Sequence, residues 1–204
     1  MIIEHKGRRP QIDPTAWVAP NATLSGPVRL GPGARILYGA ILTAEGGADL
    51  RVGPRCVIME QAVLRAAGRF PLTLQEEVLI GPHAYLSGCT VGPRTFIATG
   101  AMVFNGASLG EACVVALGGK VHIDTELSAG MWVPIGHIAF GRPGRVYPPD
   151  EAPAVHEQLS RLNLMRYVFG VDPEGKNRTE IMAEAMAKYS GALAAHADDT
   201  LLAK

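Results

Sequence analysis

Thr43, Arg65 and Ser87 recur at one fixed spacing along this chain, and Tyr38, Glu60 and Pro82 recur at the same spacing slightly earlier. A recurrence of that kind stacks side chains into columns if the backbone coils with the same period. Arg65 would then offer a permanent cation, since a guanidinium grips a carboxylate or phosphate through two hydrogen bonds. Glu60 and His83 would serve as an acid and base pair if both lined a dry cleft, where burial moves their pKa values toward neutrality. Ser87 joins them as the third candidate catalytic residue, although it lacks the His and acid partners at known spacing that a serine nucleophile needs. Thr43, Tyr38 and Tyr85 would bind ligand beside Arg65. The competing structural readings are that Arg65 pairs with Glu60 across a subunit boundary as a staple, and that His83 is a satisfied structural histidine.

The element that must position these groups is visible as an aliphatic residue about every six positions from Leu24 to Val133. The run includes Leu24, Leu30, Ile36 and Leu42, then Ile58, Leu64, Ile80, Leu86, Ile97, Val103, Leu109, Val115, Val121 and Leu127. Gly-bearing insertions at Thr43 to Arg51 and Arg65 to Thr73 interrupt it, and the step from Leu86 to Val91 is one residue short. A short flat strand every six residues, three to a turn, makes a triangular parallel β-helix whose aliphatic residues stack into one core. Two positions before each aliphatic residue the side chain is usually small, as at Ala34, Ala40, Ala62, Ala84, Ala101 and Ala107, which forms a second inward column. Cys56, Cys89 and Cys113 share that phase. They read as compact buried hydrophobes, not as a disulfide framework, nucleophiles or ligands.

Stacked on this coil, Thr43, Arg65, Ser87, Phe104 and His122 form one outward stripe, and Tyr38, Glu60, Pro82 and Thr99 form another near a different corner. In a side-by-side trimer the two stripes would meet across the interface in a pocket of Arg65, Ser87, Glu60, His83 and Tyr85, while His122 reads as a solvated or cap-proximal residue. The six histidines, His5, His83, His122, His137, His156 and His196, form no close pair and no ligand-spaced triple in the sequence. No metal and no cofactor are implied by these residues.

The chain has 204 residues and zero net charge, with Lys and Arg scattered, which gives no electrostatic case for nucleic acid. No apolar run approaches the roughly 18 residues of a membrane span, and the N-terminal residues lack the apolar stretch of a secretion signal, so a cytoplasmic protein is expected. Residues 1 to about 20 read as a lead-in, and the repeat runs to about 135. Gly141 to Arg145, with Pro148 and Pro149, then leaves the coil. The expected division is a β-helix domain over 1–148 and a helical extension over 149–204. The extension should hold two helices split at Asp172 to Gly175, with Leu159, Leu162, Met165 and Val168 on one face and Met182, Met186, Tyr189 and Leu193 on the other. Both faces should pack on the prism or on a neighbouring subunit.

Over roughly residues 9 to 148 the chain resembles the γ-class carbonic anhydrases and their relatives among the hexapeptide-repeat acyltransferases. The resemblance rests on Ala16-Trp17-Val18-Ala19-Pro20-Asn21-Ala22, on Leu86-Ser87-Gly88-Cys89-Thr90-Val91-Gly92, on the coil from Ile97 to Asn105, and on Gly141-Arg142-Pro143-Gly144-Arg145-Val146. It implies a left-handed β-helix with C-terminal α-helices, a homotrimer packed side by side, and a zinc site at each subunit interface. The three zinc-ligand positions are departed from, since they hold Arg65, Pro82 and Ser87. His83 lies one residue past the second of them, and on a strand such a shift turns a side chain to the opposite face. Thr43-Ala44-Glu45 stands where the family has Arg-Gly-Asp.

Three readings follow. The first is a γ-carbonic-anhydrase-like homotrimer without the usual zinc triad that binds or transforms a small anionic or carboxylate ligand at its interfaces. The second is an acyl-coenzyme A-dependent hexapeptide acyltransferase, for which only the shared fold speaks. The third is a noncatalytic assembly subunit. A carbonic anhydrase with a rebuilt metal site is the remaining alternative.

Overall fold

The computed structural model describes residues 1–202. The repeat folds as expected into a left-handed parallel β-helix of about 8 turns followed by C-terminal helices. Three sheets form its sides. The first sheet stacks Ile2–Glu4, Thr23–Ser25, Ile41–Glu45, Val63–Ala67, Tyr85–Ser87, Met102–Val103, Lys120–Val121 and Ile138–Phe140 in parallel. The second runs from Gln11–Ile12 to Glu126–Leu127, and the third from Trp17–Val18 to Trp132–Val133. The chain visits them in the order first, second, third within each turn.

The interior is filled as the six-residue pattern predicts. Leu24, Ile36, Leu42, Ile58, Leu64, Ile80, Leu86 and Ile97 are fully enclosed, and Ala34, Ala40, Ala62 and Ala101 with them. Stacked like residues keep one aliphatic cross-section along the axis, so each turn buries its apolar side chains only against the turns above and below. Cys56, Cys89 and Cys113 are free and buried in this core, and burial raises all three thiols, Cys89 to about 12. That suits filler, not nucleophiles.

Several expectations need correction. The lead-in is itself the first turn of the coil, because Ile2–Glu4, Gln11–Ile12 and Trp17–Val18 each pair in parallel with the strand one turn later. The exit is an antiparallel hairpin between Ile138–Phe140 and Arg145–Tyr147. The two insertions extend first-sheet strands to Glu45 and Ala67 and turn back at the edge between the first and second sheets. Among its described residues the extension holds three α-helices: α1 (Ala152–Leu162), α2 (Leu164–Phe169) and α3 (Arg178–Leu193). The break between α1 and α2 falls at Asn163, which takes a left-handed φ of 50° and caps α2 by accepting a hydrogen bond from the Arg166 amide. Asn is among the few side chains that tolerate that conformation, so no Gly or Pro marks the break.

The extension runs back along the whole prism. Val155, Leu159 and Leu162 of α1 pack on Phe140 and Tyr147 at the last turn. Tyr167 of α2 lies against Phe70, and Tyr189 of α3 reaches Arg65. Thr200–Leu202 then joins the first sheet antiparallel to Ile2–Glu4. The expected apolar face of α3 is not the packed one: Met182 and Met186 are exposed, and Ala185 is buried instead.

Candidate functional site along two edges of the first sheet

Thr43, Arg65 and Ser87 are laterally paired on adjacent strands at the edge where the first sheet turns into the second. Leu42, Leu64 and Leu86 point into the core, so their neighbours face outward and only partly exposed. Tyr85 precedes Ser87 on the same outer surface, where it begins an aromatic ladder of Tyr85, Phe104, His122 and Phe140 with ring centroids 5.6 to 6.2 Å apart. His122 is therefore not the solvated residue expected. It sits between two phenyl rings, its Nδ1 accepts the Ile123 amide at 2.7 Å, and burial lowers its pKa.

Within one chain Arg65 does not pair with Glu60. Its Nη2 donates to Glu45, from the first insertion, and to the Tyr189 hydroxyl of α3 at 3.2 Å. Burial works against the charge, but these two hydrogen bonds outweigh it and hold the guanidinium protonated. Nε and Nη1 have no hydrogen-bond partner among the described residues. Beside them the enclosed Thr43 hydroxyl makes no hydrogen bond either. Glu45 is raised by burial and lowered further by hydrogen bonds from His196 and Arg65, so it stays below the usual carboxylate range.

Tyr38, Glu60 and His83 lie at the opposite edge, where the third sheet turns into the first. Their stacking is seen in the hydrogen bonds that the Gln61 amide donates to the Tyr38 carbonyl at 3.1 Å and the His83 amide to the Glu60 carbonyl at 3.0 Å. Tyr38 and His83 are exposed and Glu60 partly so. Four residues separate Glu60 from Arg65, the turn positions Gln61 and Ala62 and the strand residues Val63 and Leu64, which places the two at opposite ends of that side of the prism. Within one chain the candidate residues thus fall into two groups that do not meet: Thr43, Arg65, Ser87 and Tyr85 toward one edge, Tyr38, Glu60 and His83 at the other. The argument from strand alternation does not hold for His83, which occupies a turn with a left-handed φ of 56°.

The donor set does not fit the family's zinc. An arginine has no lone pair to give and stays protonated, and proline has no side-chain donor. Only Ser87 and the exposed His83 remain near those positions, short of the three ligands a catalytic zinc takes.

The residues that sequence reasoning missed belong to the chain termini. His5 and His196 lie with ring centroids 4.5 Å apart, which overturns the reading that no histidines pair. Asp199 lies between them, at 2.6 Å from His5 Nδ1 and 2.9 Å from His196 Nδ1, and His196 Nε2 reaches Glu45 at 2.8 Å. No local spacing could reveal this group, because it is assembled by pairing of the first strand with the last.

No protein-family model matches the chain. Among curated proteins it is similar to γ carbonic anhydrase 1 of Arabidopsis thaliana mitochondria, with 32% identity over 143 residues, 68% of this chain and 50% of that protein. It is 28% identical to γ carbonic anhydrase 2 of the same organism over 144 residues, 68% of this chain and 49% of that protein. The chain spans about half the length of these relatives, which are named as mitochondrial, a compartment other than the cytoplasm expected from the sequence. Among the described residues no helix is long and apolar enough to cross a membrane. Two solved structures share the fold. A Bacillus cereus protein provisionally assigned as an acetyltransferase aligns with TM-score 0.52 and 20% identity, covering 92% of this chain and 96% of that one. A hexapeptide transferase family protein from Anaplasma phagocytophilum aligns with TM-score 0.50 and 22% identity, covering 97% of each. With the aliphatic prism and the two edge columns in place, the chain belongs to the γ-carbonic-anhydrase-like family of hexapeptide-repeat, left-handed β-helix proteins.

Proposed function

We propose that this chain forms a homotrimer without the family's zinc triad and binds a small carboxylate or bicarbonate-like anion where two subunits meet. In that assembly the Arg65 edge of one subunit faces the Glu60 edge of the next, so the two halves of the candidate site join only between copies. The prism, residues 1–148, carries the site, and the extension, residues 149–204, braces its Arg65 edge. The observation that carries the reading is the half-buried Arg65 guanidinium, fixed by Glu45 and Tyr189 yet with Nε and Nη1 unengaged beside an unpartnered Thr43 hydroxyl. A fixed cation with spare donors and an adjacent hydroxyl suits an anion, because charge-assisted hydrogen bonds in a partly dry site are the strong ones. Ser87 and Tyr85 supply further hydroxyls on that surface. Glu60 and His83 of the facing edge are the acid and base available for any proton step.

Calorimetric titration with acetate and with bicarbonate tests this, alongside light scattering for the oligomer. The wild-type trimer is expected to bind with a Kd near 1 mM, about −4 kcal/mol, and Arg65→Gln to weaken binding at least tenfold while remaining trimeric. Unchanged anion binding in Arg65→Gln, or a trimer that falls apart with its anion affinity intact, would sink the reading. Tight binding of acetyl-coenzyme A in place of the small anions would move the assignment to the acyltransferase class.

A further inference from the structure

We propose that His5, His196 and Asp199 form a binding site for one divalent transition ion of zinc-like preference, which clamps the two ends of the chain to the first turn of the prism. The site lies outside the anion site and uses none of its ligand-binding donors.

The three side chains offer ligand atoms that all lie within 4.8 Å of one another. The Asp199 carboxylate already approaches one nitrogen of each imidazole, Oδ1 at 2.6 Å from His5 Nδ1 and Oδ2 at 2.9 Å from His196 Nδ1. Zinc takes imidazole nitrogen and carboxylate oxygen at about 2.0–2.2 Å, so its tetrahedral ligands stand a little over 3 Å apart. Seating the ion would open the two nitrogen–oxygen contacts by about 0.4–0.7 Å and bring the two ring nitrogens to that same spacing, in place of the protons now shared between the carboxylate and the rings. Two imidazoles and one carboxylate, with a fourth position open, is a donor set that borderline ions of this kind accept and that hard ions such as magnesium do not favour.

The surroundings point the same way. His5 is 4% exposed, so its ring is held by packing, not by solvent. His196 Nε2 lies 2.8 Å from Glu45 Oε2, and once an ion displaces the Nδ1 proton, the hydrogen bond donated from Nε2 keeps the ring neutral with its Nδ1 lone pair toward the metal. A carboxylate that holds the far nitrogen of a ligating histidine fixes its tautomer and raises its basicity. Arg65 in turn anchors Glu45 from the other side. Neutral imidazoles with one Asp199 carboxylate leave the site one negative charge, since Glu45 and Arg65 offset each other, and a bound dication would leave it with one net positive charge beside the Glu45 carboxylate. Because His5 and the pair His196 and Asp199 come from opposite ends of the chain, bound ion would hold Thr200–Leu202 on Ile2–Glu4.

The experiment titrates zinc, and separately cobalt, into the chelator-stripped full-length protein, following stoichiometry by calorimetry, the visible cobalt spectrum and the thermal midpoint. One ion per chain is expected, with a midpoint that climbs with free zinc as mass action requires. His196→Gln, whose side chain lies on the outer segment and not in the prism core, is expected to abolish the binding with an unchanged circular dichroism spectrum. Glu45→Gln is expected to weaken it by about 10–100-fold, the usual cost of losing an outer carboxylate. His83→Gln should leave it intact. Absence of a zinc isotherm in the wild type, or an isotherm that survives His196→Gln or disappears with His83→Gln, overturns the assignment.

Discussion

A half-buried imidazole between phenyl rings is a poor place for a second proton. His122 lies 5.6 Å from Phe104 and 5.8 Å from Phe140, and its Nδ1 already accepts the Ile123 amide, so protonation would cost both the dry environment and that bond. Its folded pKa lies below the unfolded value near 6.5, hence the unfolded chain binds more protons in that window. Stability from this residue is complete above about pH 6.5 and is lost as the pH falls through the folded value. Denaturant unfolding of wild type and His122→Phe at pH 7.5, 6.5 and 5.5 should show the wild type losing more stability on acidification, and parallel profiles would refute the argument. The stripe that places His122 was legible because it needs only the phase of the repeat. Its desolvation was not, since Phe140 belongs to the strand that enters the exit hairpin. Arg65 is a similar case. Its column follows from spacing, whereas its partners Glu45 and Tyr189 come from an insertion and from a helix far along the chain.

At the scale of elements, the prism was readable and its brace was not. Six-residue periodicity is a local signal repeated many times, and it identified the inward residues of every face. The course of the extension depends on single long-range seats, and Gly106 is the clearest. Its φ is +78°, and a Cβ there would stand 2.0 Å from the Tyr167 hydroxyl, so α2 rests directly on bare backbone. Gly106→Ala should cost about 1 kcal/mol for the left-handed backbone alone, plus about 1–2 kcal/mol for the displaced ring. Adding Tyr167→Phe should recover the second part only, which a double-mutant cycle in urea will measure. The helices also carry their own signals. Asn177 and Glu180 form a reciprocal capping box at the start of α3, with bonds of 3.0 and 2.8 Å. Asn177→Ala should therefore cost about 1 kcal/mol, seen as faster amide exchange in α3 with the prism unaffected. The Met182 and Met186 stripe misled because a helical period shows that a face is apolar without showing what it meets.

The outward columns of the three sheets differ in a way that orients the whole molecule. On the second sheet the column reads Gln11, Arg29, Arg51, Thr73, Thr90, Ser108 and Glu126, a surface suited to water. On the first it reads Thr23, Ile41, Val63, Tyr85, Met102, Lys120 and Ile138, and on the third Trp17, Arg35, Val57, Leu79, Phe96, Val114 and Trp132. Contiguous apolar surface of that extent marks an interface. If both edges of the first sheet meet neighbouring copies, as the divided anion site requires, that sheet must face the three-fold axis, and the exposed Met182 and Met186 of α3 lie at the edge that meets the next subunit. Met102 is 36% exposed in the single chain and lies next to Tyr85, the centre of the first-sheet column. Met102→Glu would bring three carboxylates together at the axis, each beside the Lys120 of its own next strand, and taking such charges out of water costs several kcal/mol each. It should convert the trimer to folded monomers by light scattering and circular dichroism, and abolish acetate binding with the assembly. Ser108→Glu, on the polar second sheet, should change neither. A Met102→Glu protein that stays trimeric would show that the first sheet faces outward, and the two edge columns would then have no common site to build.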